Sequence, residues 1–143
     1  MANELNHIIV HVKDRRQSAA FVAELMAAEA PRDWGHFTQI TSSNGVGIDF
    51  CDDLVAPADL NPSHLAFLVT DGEFDAILGR ITERGLSYYP DPLMRAESAG
   101  TINHEYGGRG LYLRDPGGTV ALEFMTTPYG DEPTKRPTRR SDV

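Results

Sequence analysis

Leu5-Asn6-His7-Ile8-Ile9-Val10-His11-Val12-Lys13-Asp14 lines up residue for residue with Pro62-Ser63-His64-Leu65-Ala66-Phe67-Leu68-Val69-Thr70-Asp71. Histidine falls on histidine, the closing aspartate on aspartate, and the apolar positions coincide. A second echo closes each half: Val46-Gly47-Ile48-Asp49-Phe50 matches Val120-Ala121-Leu122-Glu123-Phe124, carboxylate on carboxylate. Self-similarity of this kind marks a repeated supersecondary unit. Each half opens with a strand that bears a histidine and ends with a strand that bears an acid.

Between these markers lies a helix in each half. Phe74, Ile77, Leu78 and Ile81 recur at i, i+3, i+4 and i+7, which predicts a helix over about residues 73–84 with Gly85 as its C-terminal stop. In the first half Ser18, Phe21, Val22, Leu25 and Met26 trace the corresponding stripe behind Asp14, a good N-cap residue. Strands are expected over 36–41 and 45–51 around Ser43-Asn44-Gly45, and over 108–114 and 119–125 around Asp115-Pro116-Gly117-Gly118. Short strands are also expected near 30–33 and 86–89. The plan is α+β, βαβββ twice over: module 1 at about 4–56 and module 2 at about 61–127, within a single domain over 1–130. The segment 91–107 has no period and reads as a long loop, a mobile cover hinged at Gly107 and Gly108.

At 143 residues the chain has no room for two independent cores and a linker. Thirteen basic side chains against 21 acidic ones give a net charge of −8, which speaks against nucleic acid or an anionic membrane as partner. No apolar run approaches the length of a membrane span, and Met1-Ala2-Asn3-Glu4 lacks the basic start of a secretory signal. Cys51, the single cysteine, cannot form an internal disulfide, and a cytoplasmic location is expected. Residues 131–143, with Pro133, Pro137 and four basic residues, read as a polar tail.

Strand parity decides which side chains share a surface. Ile8, Val10 and Val12 oppose His7, Ile9 and His11; Leu65, Phe67 and Val69 oppose His64, Ala66 and Leu68. Ile48 and Phe50 oppose Asp49; Leu122 and Phe124 oppose Glu123; Leu111 and Leu113 oppose Tyr112 and Arg114. With helices on the oily faces, the other faces form a concave surface carrying His7, Asp49, His64 and Glu123 in two-fold relation. A lone strand histidine is usually a satisfied core or surface residue. Four such residues at matching positions, with matching facing, point instead to a divalent-metal site.

The stretches LNHIIVHVKD, HLAFLVTD and GRGLYLRDPGGTVALEF resemble the vicinal oxygen chelate superfamily of glyoxalases, extradiol dioxygenases, fosfomycin-resistance enzymes and bleomycin-binding proteins, over roughly residues 4–127. The resemblance implies paired βαβββ modules forming a cup-shaped mixed sheet around a metal, helices outside, in a homodimer. By position His7, His64 and Glu123 match the family's ligands. Asp49 matches a fourth position that ligates in the glyoxalases and not in the extradiol enzymes; as a shorter carboxylate it is expected to ligate directly, to orient a metal-bound water or to serve as a base. The family's Asp-Pro-x-Gly turn is normally followed by three residues before the glutamate. Here there are four, Thr119 to Leu122, so either the hairpin absorbs one residue or Glu123 turns away.

Two histidines and a carboxylate leave open positions on Fe(II), Mn, Ni or Zn, and such an ion stabilises negative charge on adjacent substrate oxygens. His104 and Tyr112 resemble the loop histidine and tyrosine that hydrogen-bond substrate in extradiol enzymes, and with Asp49 they are the candidate catalytic groups. His11, Arg109 and Arg114 are the candidate substrate-binding groups. The expected function is a metal-dependent enzyme acting on a small molecule with adjacent oxygens, as an extradiol-type dioxygenase or a glyoxalase-like lyase or isomerase. The alternative is a bleomycin-resistance-type protein that sequesters a drug.

Overall fold

The computed structural model describes residues 3–129. The polar tail expected over 131–143 lies outside them. The described residues form two compact units: residues 3–63 with 114–120, and residues 64–113 with 121–129. The hairpin turn over residues 114–120 belongs to the first unit. Among the described residues no helix is long and apolar enough to cross a membrane.

In the first unit β1 (His7–His11), α1 (Arg15–Leu25), β2 (Arg32–Trp34), β3 (Phe37–Thr41) and β4 (Gly47–Cys51) form the full βαβββ module. The sheet runs β1-β4-β3-β2, with β1 parallel to β4 and the other pairs antiparallel. Parallel neighbours need a crossover, and α1 begins it, packing on β3 and β4. Asp14 starts the helix as expected, its side chain accepting from Gln17 N at 2.9 Å. The buried stripe is Ser18, Ala19, Val22, Ala23 and Leu25, displaced from the expected one toward the alanines; Phe21 and Met26 are only half-buried. Small side chains let the helix approach the sheet closely, above Val10, Ile40, Ile48 and Phe50.

In the second unit β5 (Ser63–Leu68), α2 (Asp71–Glu83), β6 (Gly110–Arg114) and β7 (Val120–Met125) form a sheet in the order β5-β7-β6. Strands β5 and β7 run parallel, since Ser63 N donates to Thr119 O and Val69 N to Met125 O. Helix α2 begins at Asp71, earlier than its apolar period suggests, because Thr70 and Glu73 make a reciprocal capping box. Phe74, Ile77 and Ile81 are its buried face, and Leu111, Leu113, Leu122 and Phe124 are buried on the sheet.

The strand expected near 86–89 is reduced to one bridge, in which Tyr89 and Tyr112 exchange both backbone hydrogen bonds at 2.8 Å. Pro90 follows and has no N–H with which to extend the ladder. The second module is thus βα followed by a bridge and two strands.

The expected loop, residues 91–107, is tied to the preceding segment at Gly100 and Asn103. Gly100 N donates to Tyr88 O, the Tyr88 hydroxyl to Gly100 O, and Asn103 Nδ2 to Pro90 O. Gly107 has a left-handed φ of 76°, a conformation that favours glycine. Gly108 is required for another reason: a Cβ there would stand 2.7 Å from Thr126 Oγ1.

Candidate active site

The sheet register of the first unit arranges the face opposite α1 in cross-strand rows. His7 pairs with Gly47, Ile9 with Asp49, and His11 with Cys51; β3 adds Gln39 beside Asp49 and Phe37 beside Cys51. Asp49 is 3 % exposed, and its Oδ1 accepts from Gln39 Nε2 at 2.6 Å. A buried carboxylate needs such a partner. Gly47 makes room for it, since a Cβ there would lie 3.0 Å from Gln39 Nε2 and 3.2 Å from His7 Cβ. His7 bonds through Nδ1 to Asn6 Oδ1 at 2.6 Å. With the proton on Nδ1, Nε2 keeps its lone pair, one of the two tautomers through which histidine ligates metals. His11 keeps a buried Nδ1 with no hydrogen-bond partner among the described residues. The Cys51 thiol is fully buried and donates to Asp53 Oδ1 at 3.3 Å.

In the second unit the sequence match is realised as a direct contact: His64 Nε2 lies 2.9 Å from Glu123 Oε1. His64 is on β5 and Glu123 on the adjacent β7, so the pair spans one interstrand spacing. The ring of Tyr112, on β6, meets the His64 ring edge to face with centroids 5.8 Å apart. Burial, and then the negative charge of Glu123, push the Tyr112 phenol well above its ordinary pKa, so it stays a hydrogen-bond donor at any working pH.

Glu123 keeps the facing that this contact needs despite the extra turn residue. Along β7 Val120, Leu122 and Phe124 are buried while Ala121, Glu123 and Met125 alternate with them. The hairpin absorbs the insertion through Asp115, whose Oδ1 accepts from Thr119 N (3.0 Å) and Val120 N (2.9 Å). Asp115 Oδ2 also accepts from Ser18 Oγ on α1 at 2.6 Å, and Asp115 N closes the hairpin on Val120 O.

The remaining sequence-predicted groups have other contacts or stand exposed. His104 is exposed on the loop, its Nδ1 3.2 Å from Gly108 O. Arg109, considered for an anionic substrate, has its charge matched within the second unit. It bonds Asp75 Oδ1 at 2.7 Å and Asp71 Oδ1 at 3.2 Å, and its guanidinium sits 4.6 Å from the Phe74 ring centroid. Arg114 is exposed at the end of β6. Among the described residues no group of three or more His, Cys, Asp and Glu side chains is arranged to hold a metal ion. What stands formed is the His64–Glu123 pair beside Tyr112, and separately His7 and the Gln39–Asp49 pair. Gln39 is absent from the sequence-predicted groups, although its parity on β3 places it on Asp49's face.

No family model matches the chain, and no curated protein does. Solved structures do. A glyoxalase/dioxygenase from Nostoc punctiforme shares the fold at 20 % identity, over 88 % of this chain and 92 % of that one, with a TM-score of 0.63. A fosfomycin resistance protein from Listeria monocytogenes shares it at 20 % identity, 94 % and 99 % coverage and a TM-score of 0.62. Oxidase ChaP-H1 is similar at 47 % identity over 90 % of this chain and 99 % of that chain, with a TM-score of 0.82. The chain belongs to the vicinal oxygen chelate superfamily, with the glyoxalase/bleomycin resistance/dioxygenase fold. Oxidase ChaP-H2 is similar as well, at 44 % identity, 91 % and 98 % coverage and a TM-score of 0.81.

Proposed function

We propose that the chain is a divalent-metal-dependent oxygenase of extradiol type, acting on a small aromatic molecule with two adjacent oxygens. The observation that carries this reading is the His64–Glu123 contact beside a phenol held protonated, in a chain 47 % identical to a protein named as an oxidase.

The candidate donors stand as one formed pair and one separate imidazole. His64 Nε2 and Glu123 Oε1 are brought together on neighbouring strands, and the Asn6 contact leaves His7 Nε2 as its donor atom. His7 is assigned as the third ligand because it occupies, in the first repeat, the position that His64 occupies in the second. Imidazole and carboxylate suit Fe(II), and also Mn, Ni or Zn. When bound, such an ion supplies Lewis acidity toward the paired substrate oxygens.

The protein's own groups do the rest. Tyr112, neutral because it is buried, donates to a substrate oxygen and favours the form in which negative charge gathers there. Asp49 is held in one orientation by Gln39 and serves as proton acceptor for the substrate hydroxyl. His104 is a further donor from the loop, and Arg114 and His11 are contacts for substrate oxygens. The molecule is proposed to act as a homodimer in the cytoplasm.

Metal analysis of wild-type protein beside His64→Ala, purified without chelators, tests the reading. About one equivalent of iron, lost in the variant, with oxygen uptake on catechols, is the expected result. Nickel, zinc or manganese without oxygen uptake replaces it with glyoxalase-like lyase or isomerase chemistry. Protein that takes up no metal even on anaerobic reconstitution refutes the enzyme and leaves a drug-binding protein.

A further inference from the structure

A shallow depression of about 340 Å³ in the first unit is lined by Arg32, Asp33, Trp34 and Gln39. Three of these share the face that carries Asp49, for Arg32 pairs with Gln39 across β2–β3 and Gln39 with Asp49 across β3–β4. The fourth, Asp33, is committed to the opposite side, where it bonds Arg16 at 2.9 Å and Thr38 at 2.7 Å. Its charge is therefore matched by Arg16. Arg32 has no acidic partner among the described residues, in a chain with a net charge of −8. A cation left uncompensated by so many carboxylates favours an anion from outside. Trp34, 68 % exposed, is the most exposed large apolar side chain among the described residues, and it is the chain's single tryptophan.

Two residues apart on one strand, Trp34 and Arg32 lie about 7 Å from each other on the same face. A flat ring lying on the indole would hold an acidic substituent over the guanidinium, a planar fork suited to carboxylate or phenolate. From Arg32 to Asp49 is two interstrand spacings, or about 10 Å. That is the reach of a small fused-ring aromatic, and Gln39 lies between, already bonded to Asp49.

We infer that Arg32, Trp34 and Gln39 form a recognition subsite for the non-reacting end of the substrate, selecting a planar fused-ring aromatic with an acidic oxygen substituent. The assignment rests on the oxygenase reading for what happens at the other end of that molecule, but binding alone tests it.

The probes are 2-naphthoate and the uncharged 2-naphthamide, neither of which chelates a metal. They are titrated by calorimetry into metal-free full-length protein. The carboxylate is expected to bind about tenfold more tightly than the amide. Arg32→Met abolishes that preference with amide affinity unchanged, whereas Trp34→Leu weakens both probes by about tenfold. Arg32→Gln repeats the charge test should the methionine variant fold poorly, which circular dichroism reports. No saturable binding to wild type, or a preference that survives at position 32, overturns the subsite. Oxygen uptake assays report separately on the reaction: arginine-dependent naphthoate binding in a protein without turnover keeps the subsite and discards the oxygenase. Turnover together with charge-indifferent binding does the reverse.

Discussion

Replacing Asp115 by alanine removes the acceptor that three donors share: Ser18 Oγ at 2.6 Å, Thr119 N at 3.0 Å and Val120 N at 2.9 Å. Thr119 is half-buried and its amide can reach water, but Ser18 and Val120 are buried and cannot. A buried donor left without a partner costs about 1–3 kcal/mol, so two of them put the loss at about 2–6 kcal/mol. That is a large part of the roughly 5–15 kcal/mol that holds a typical domain together. Asp115→Asn is a different perturbation. Its carbonyl still accepts from both amides, and its NH2 can face a Ser18 hydroxyl that turns to accept, so only the charge assistance is lost, at about 1 kcal/mol. Urea unfolding followed by far-UV circular dichroism, at neutral pH on metal-free protein, measures both. The expected order is wild type, asparagine, then alanine, with the larger gap at the second step. An alanine variant within about 1 kcal/mol of wild type, or an asparagine variant as damaged as alanine, refutes the assignment of these bonds as what holds the turn.

Tyr112→Phe is expected to lower turnover by about 100-fold while metal content and fold persist, since it removes one donor from a packed ring; steady-state kinetics beside metal analysis checks this. The raised pKa of that phenol also fixes a pH dependence. In the unfolded chain it ionises near pH 10 and in the folded one higher, so its share of stability is complete below about pH 10 and is lost as pH rises past that point. Correspondingly, alkaline difference absorbance between wild type and Tyr112→Phe should stay flat through about pH 10. Gly108→Ala would drive a methyl toward the Thr126 and Thr127 side chains, and a thermal-melt deficit corresponding to about 1–3 kcal/mol is expected. Thr70→Ala dissolves the α2 capping box and should cost about 1 kcal/mol by urea unfolding, with no change in metal content.

Facing was the most legible property of this sequence, because side-chain alternation has a period of two and tolerates no slippage once one face is oily. The contact between His64 and Glu123 follows from the repeat and that parity together. So does the placement of Asp49 with His7 on one face of the first sheet. Asp14 was readable as an N-cap because its neighbours left it no other work. The start of α2 was harder: the capping box of Thr70 and Glu73 sets it, and apolar spacing does not register caps. The shortened second strand of the second half hung on one residue, Pro90, which withdraws a single donor. Gln39's bond to Asp49 is a cross-strand pairing, and register between strands is set by the assembled sheet. Whether the hairpin would absorb its extra residue could be posed from the sequence, but the answer needed the Asp115 side chain in space.

The Ser18–Asp115 bond joins positions 97 apart, and the unit it closes is built from residues 3–63 together with 114–120. The repeat visible in the sequence is therefore not a pair of separable folding units. During synthesis the first half reaches its full length with a serine hydroxyl still lacking its acceptor, and it waits about fifty residues for the turn that supplies it. Closing so long a loop adds only modestly to the entropic cost, but it raises contact order and so slows completion. A gene cut at the boundary between the halves would encode an N-terminal fragment short of one of its own parts. If the two halves arose by duplication, the ancestral half must have closed this corner differently, or borrowed the turn from a second copy of itself.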